Sequence, residues 1–220
     1  VALTKFNYNS FDLTTAASKG LAFNSSANGF ETSSAGAMTL IKTLTASSSS
    51  TLSFLDGSSS VVLDNTYPVY LFKFINIHPA TDNTRFVFQV DTGTNTNYNQ
   101  TITSAVFRAY HNEGDSGTGL AYRTAIDQAQ GTAFQKISES LGNGNDESAS
   151  GELYLFSPSS SVFVKHFMAR VQNYSNADET VDTFIAGYVN TTTALTRVQF
   201  KIDSGNIDSG TIKLYGIKDS

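Results

Sequence analysis

The stretch 67–79, Tyr-Pro-Val-Tyr-Leu-Phe-Lys-Phe-Ile-Asn-Ile-His-Pro, constrains the fold more than any other part of the chain. Successive side chains of a strand point to opposite faces, so residues two apart share a face. On that spacing Tyr70, Phe72 and Phe74 lie on one face, and Val69, Leu71, Ile75 and Ile77 lie on the other. Between positions 69 and 75 only Lys73 interrupts the apolar run. A strand half-open to water alternates apolar with polar; one that is apolar on both sides is a central strand with cover on each. The cover is a second sheet with a loop, or a neighbouring copy of the chain. Tyr70, Phe72 and Phe74 are therefore core or inter-subunit residues.

The remainder of the chain is built from short apolar alternations separated by turn residues. Before the midpoint, residues 39–45, 52–55, 85–90 and 102–110 read as strands, and 61–63 lead into the opening stretch. After it, 152–156, 162–171, 183–189, 197–202 and 211–217 do the same. The pattern is clean in 197–202, where Val198, Phe200 and Ile202 alternate with Arg197, Gln199 and Lys201. Asp56-Gly57, Gly142-Asn143-Gly144-Asn145-Asp146 and the stretch 203–210 carry turn chemistry. Residues 111–146 are the least regular: 121–130 has weak helical character through Ala125, Ile126 and Ala129, and 131–141 holds a short strand or helix. Loops of this length contact a partner or carry function, so 91–99, 111–119 and 142–147 are expected to face outward or meet neighbours. The expected fold is all-β, a β-sandwich of jelly-roll type with about 9–10 strands.

Residues 1–38 differ from the rest. Leu3, Phe6, Tyr8, Phe11 and Leu13 are scattered among polar residues, and Phe23 and Phe30 are the anchors available in the Ser-, Asn- and Gly-rich part that follows. This is too sparse for an independent core. The segment reads as an extended arm that either packs loosely on its own domain or attaches to a neighbour, ahead of a sandwich domain over 39–220.

Composition narrows the function classes. Fourteen basic against nineteen acidic residues give a net charge of −5, which argues against binding a phosphate backbone, so no nucleic-acid partner is expected. Charged residues are 15% of the chain; Ser, Thr, Asn and Gly carry the polarity, as suits strands and turns. With no cysteine, disulfides and thiolate metal sites are excluded. No apolar run approaches the roughly 20 residues that span a bilayer, and the start lacks the apolar run of a signal peptide. The expectation is synthesis in a cytoplasm, without membrane insertion.

Candidate chemistry is thin. His78, His111 and His166 have no metal-ligand spacing and read as local hydrogen-bonding residues. The acidic pairs Asp146-Glu147 and Asp178-Glu179, with Asp203 and Asp208, sit beside Gly, Asn and Ser, where carboxylates hold turns; glycoside hydrolysis by Asp146 or Glu147 ranks last. An oxygen-only calcium loop is conceivable, but no EF-hand pattern is present. No nucleophile elbow or phosphate-binding loop occurs. No catalytic, cofactor or metal residue is expected. Tyr98, Tyr110, Tyr122 and Tyr174, in or near loops, are the candidates for contact with a receptor, a sugar or a protein; equally, they cover the ends of the core.

Four segments carry a resemblance: 70–82 (YLFKFINIHPATD), 142–160 (GNGNDESASGELYLFSPSS), 163–169 (FVKHFMA) and 186–218 (AGYVNTTTALTRVQFKIDSGNIDSGTIKLYGIK). They resemble virion structural, tail-fibre-like proteins of marine tailed bacteriophages, including cyanophages, over roughly residues 40–218. The opening Ala-Leu-Thr-Lys is similar to the attachment start of phage tailspikes and fibres. The resemblance implies a homo-oligomer, most simply a homotrimer, made in the host cytoplasm and built into the virion. Its partners would be other virion proteins of the tail or the major capsid shell, with a host surface glycan or receptor beyond them. It implies no enzymatic residue. It leaves open a tail-fibre-like appendage, a capsid decoration or cement protein, and a glycan-binding module.

Overall fold

The structure, a computed structural model, describes residues 19–23, 26, 28–34 and 36–218. The chain divides between Ala37 and Met38 into two compact units. In the first, β1 (Lys19–Phe23) and β2 (Phe30–Ser34) form an antiparallel hairpin. Phe23 faces Phe30 across it and their rings stack at 4.9 Å. The other expected arm residues, Leu3, Phe6, Tyr8 and Phe11, lie outside the described residues.

The second unit begins with β3 (Met38–Thr45), β4 (Leu52–Leu55), β5 (Val69–Pro79), β6 (Phe86–Thr92) and β7 (Ile102–Asn112). Short strands follow: β8 (Thr118–Tyr122), β9 (Gln128–Gly131) and β10 (Gln135–Lys136). Then come β11 (Ala149–Phe156), β12 (Lys165–Ser175), β13 (Glu179–Val189), β14 (Leu195–Ile202) and β15 (Ile207–Ile217). The small sheet has the order β10-β6-β14-β4. The large sheet has the order β3-β15-β5-β11-β12-β13-β7-β8, and β9 continues the β8 side of β7. Every pairing is antiparallel. The fold is thus all-β, consistent with a β-sandwich.

Facing phenyl rings hold the two sheets together. Phe200 of β14 lies 5.2 Å from Phe72 and from Phe74 of β5, and 5.7 Å from Phe86 of β6. Phe88 of β6 meets Phe167 of β12 edge-on at 5.1 Å. All of these rings are buried. Edge-to-face and offset contacts are the favoured geometries for aromatic pairs, so this cluster fixes the spacing between sheets. Phe72 and Phe74 are accordingly covered by the small sheet of the same chain. Tyr70 is buried with the 64–67 segment, its ring 5.7 Å from Tyr67 and its hydroxyl donating to the Asp64 carbonyl at 3.0 Å, so the oligomer argument drawn from all three loses its force.

The opposite side of β5 behaves differently. Leu71 is buried between Tyr154 of β11 and Tyr215 of β15, its direct cross-strand neighbours. Ile75 remains exposed. Ile77, expected beside Leu71 and Ile75, turns into the core instead. Asn76 has φ 50°, and the β11 register shifts between Ala149 and Gly151, so an extra residue reverses the alternation.

Elsewhere the structure departs from the expected elements in two places. The stretch 121–130 contains no helix: β8 ends at Tyr122, a turn follows, and β9 begins at Gln128. Strand β12 starts at Lys165, leaving Val162 and Phe163 exposed in the preceding loop. Residues 61–63, which lead toward β5, bury Val61 and Leu63, and the Leu63 amide donates to Asp56 Oδ1 at 2.8 Å.

The large sheet is wider than the small one, and segment 123–141 packs on the excess. Ile126, Ile137 and Leu141 enter the core. Buried Glu139 accepts from Arg108 Nη1 at 2.7 Å and from Arg123 Nε at 2.6 Å. Gln89, also buried, donates to the carbonyls of Gln100, Thr132 and Ala133. Loop 92–100 is gathered round the buried Asp91 carboxylate, which accepts from the Thr92 and Tyr98 amides and from the Asn95 and Gln100 side chains at 2.8–3.0 Å. Burying these polar groups is tolerable because each has its partners.

Candidate interaction surface

The outer face of the large sheet is the surface with the most unusual chemistry. Antiparallel pairing aligns residues of successive strands in rows across it. One row runs Tyr215, Leu71, Tyr154, Met168, Ala186, Ala105 from β15 to β7. The next runs Lys213, Lys73, Glu152, Arg170, Phe184, Phe107, Tyr122 from β15 to β8. Strands β12, β13 and β7 are amphipathic in the ordinary way, but several of their outward positions are apolar. Met168 is 55% exposed, Phe107 44% and Tyr122 56%.

Between these rows lies an open cleft of about 410 Å³, lined chiefly by Phe107, Phe184, Met168, Tyr154, Ala105 and Ala186. Phe107 and Phe184 stack at 4.8 Å with planes only 7° apart. The Arg170 guanidinium lies over Phe184 at 4.7 Å while Nη2 bonds Asp182 Oδ2 at 2.6 Å. On the other flank Lys73 Nζ meets Glu152 Oε2 at 3.0 Å, and Tyr154 donates its hydroxyl to Glu152 Oε1 at 3.2 Å. Burial first, and then the Glu152 carboxylate, raises the Tyr154 hydroxyl above its ordinary pKa. Hydrogen bonding to Glu152 raises Lys73, and hydrogen bonding to Asp182 raises Arg170. The flanking charges are therefore paired within the chain, and the cleft offers apolar area with a neutralised rim. A further groove of about 500 Å³ adjoins it through Phe156, His166 and Tyr188.

The four tyrosines singled out from the sequence are not gathered into one site. Tyr110, Tyr122 and Tyr174 lie in strands, and Tyr98 lies in a loop. Tyr122 is on the outer face, its hydroxyl donating to Asp127 Oδ2 at 2.7 Å. Tyr174 is at one end of that face, in a depression shared with His111, Glu113 and Thr180. Hydrogen bonding to Glu113, with lesser help from Asp178, pushes its hydroxyl up to about 12. Tyr110 packs on Gly119 under the Arg108 guanidinium. Tyr98 faces Phe134, which in turn lies under Lys201 Nζ at 4.3 Å. These two cover the molecule's own surface.

The polar candidates have local roles. His78 Nδ1 lies 2.6 Å from the Glu147 carbonyl, an acceptor only, so this nitrogen carries the proton. The Glu147 carboxylate folds onto the Gly144 amide and holds the 142–147 turn. Asp203 accepts from the Arg85 amide and pairs with its guanidinium, and Asp208 accepts from Ser48 Oγ. Among the described residues no group of three or more His, Asp or Glu is placed to hold a metal ion. Two features were not anticipated from sequence. The Phe107–Phe184 pair joins residues far apart in the chain. Lys165 is buried, with Nζ donating to the Phe163 and Thr191 carbonyls at 3.0 and 3.1 Å and its pKa lowered by desolvation.

Comparison of the chain with protein-family models, curated proteins and solved structures returns no match.

Proposed function

We propose that this chain is a structural protein displayed on the surface of a bacteriophage particle, as a homo-oligomeric, tail-fibre-like appendage made in the host cytoplasm. The observation that carries this reading is the strand order. The set β3-β15-β5-β11 faces the set β10-β6-β14-β4, and the chain alternates between them along β3, β4, β5, β6 at its start and β14, β15 at its end. That alternation supports a jelly roll, the architecture of many capsid and lectin domains. In this reading β12, β13 and β7 to β9 are additions that widen one sheet. The resemblance of segments 70–82, 142–160, 163–169 and 186–218 to virion structural proteins of marine tailed phages points the same way. The broad outer face with a neutralised rim suits a protein that works by packing against other virion proteins.

In this reading residues 1–38 attach the chain to its neighbours, and three copies assemble round the attachment. A capsid decoration protein would use the same parts at a different place. A glycan-binding role is favoured by one feature, the cleft where Phe107 and Phe184 stand beside Arg170 and Glu152. Reconstruction of particles containing the chain tests the proposal. Three- or six-fold density at the tail supports an appendage, and local three-fold density on the shell supports decoration. Purified particles that lack the chain would overturn both. Glycan-array binding lost in Phe184→Ala would favour the lectin-like role.

A further inference from the structure

We propose that β8 pairs edge to edge with the β8 of a second copy, antiparallel about a two-fold axis at Leu120. This concerns the chain's own edge and does not depend on the virion reading.

Strand β8 is the outermost strand on its side of the large sheet. Thr118 to Tyr122 pair with β7 through five consecutive residues without a shift. Their backbone groups on the far side find no partner among the described residues. Open edges of this kind are templates for another chain unless something blunts them. The three other end strands of the two large-unit sheets are blunted. Strand β3 carries Lys42 and a register shift against β15, β4 has four residues and β10 has two. Strand β8, Thr-Gly-Leu-Ala-Tyr, has no charge, no proline and no bulge.

Its side chains fit a copy of itself. Leu120 is 74% exposed, more than any other leucine of this unit among the large exposed apolar residues, and shares the outer face with Tyr122 and Phe107. When a strand meets itself antiparallel, the residue on the axis faces its own copy, so a charge there would repel. About Leu120 the register sets Leu120 against Leu120, Tyr122 against Thr118 and Ala121 against Gly119. Every pair is neutral, and the most exposed apolar side chain of the strand is covered at the centre. The apolar outer faces of the two copies then run on into one another. A second copy meets these requirements in full, because the strand supplies both halves of each pair.

The absence of cysteine makes the register directly testable in the full chain. Facing residues of an antiparallel pair have Cα atoms about 4.5–5.5 Å apart, within the range that a disulfide bridges. Mild oxidation should therefore convert Leu120→Cys to a covalent dimer. Thr118→Cys alone should remain uncrosslinked, while a mixture of Thr118→Cys and Tyr122→Cys should crosslink. Independently, Leu120→Lys should halve the mass measured by light scattering while leaving the β-sheet circular dichroism unchanged. Failure of Leu120→Cys to crosslink, crosslinking of Thr118→Cys to the same extent, or an unchanged mass in Leu120→Lys would overturn the pairing.

Discussion

Phe200→Ala is the most informative single perturbation of the fold. Its ring lies within 6.2 Å of Phe54, Phe72, Phe74, Phe86 and Phe88, so from β14 it touches both neighbouring strands of the small sheet, β4 and β6, and both inner phenylalanines of β5. Removing a fully buried phenylalanine costs about 3–5 kcal/mol from lost transfer and the cavity left behind. Five ring neighbours on rigid strands cannot collapse into the gap, which places this site at the upper end, about 4–5 kcal/mol. Against a usual domain stability of about 5–15 kcal/mol that is a large fraction. It corresponds to a fall in Tm of roughly 8–20 °C for a unit of this size. Phe184→Ala is the control. Phe184 stacks on Phe107 and under Arg170 but is only half-buried, so its loss should cost about 1 kcal/mol, the scale of an aromatic pair. Urea and thermal denaturation of dilute protein measure both. Equal losses in the two variants would refute the assignment of the Phe200 side as the intramolecular core.

Three further outcomes follow from the buried polar groups. Glu139→Gln leaves Arg108 and Arg123 facing an uncharged amide and should cost about 3–5 kcal/mol by denaturation, the scale of breaking a buried pair. Asp91→Ala removes the acceptor for four donors of loop 92–100; it should cost about 1–3 kcal/mol and raise amide exchange at Tyr98, whose N–H loses its partner. Burial, with the nearby Asp64 carboxylate, raises the Tyr70 hydroxyl above the ordinary tyrosine value. Above about pH 10 the unfolded chain releases this proton while the folded chain holds it, so stability falls with rising pH by about 1.4 kcal/mol per unit for this group. Tyr70→Phe should show a shallower alkaline decline, measured by urea midpoints from pH 9 upward, and an equal slope would contradict the assignment.

Legibility from sequence followed the hydrophobic period. Residues 52–55 and 197–202 alternate cleanly, and both are strands. The doubly apolar β5 is covered on its Tyr70 side, as a central strand requires. Where one residue breaks the period, as Asn76 does with φ 50°, the side chains beyond it change face, and Ile77 enters the core for that reason. Segment 123–141 was hardest to read because its packing rests on Gln135, Ser138 and Glu139, which are buried but carry no apolar signal. The outer-face cleft was illegible for a different reason. Phe107 and Phe184 meet only through the β7–β13 register, a pairing across 77 positions that no local pattern encodes. Tyr122 and Tyr174, the candidates from sequence on that outer face, lie outside the cleft itself.

The chain closes its own core and leaves the apolar outer face of one sheet exposed. Near-atomic density of the assembled protein tests this most directly. Phe107, Phe184 and Met168 should be buried against another chain, while Tyr70, Phe72 and Phe74 should contact only their own. An assembly in which the outer face of β12, β13 and β7 stays open to solvent would contradict it.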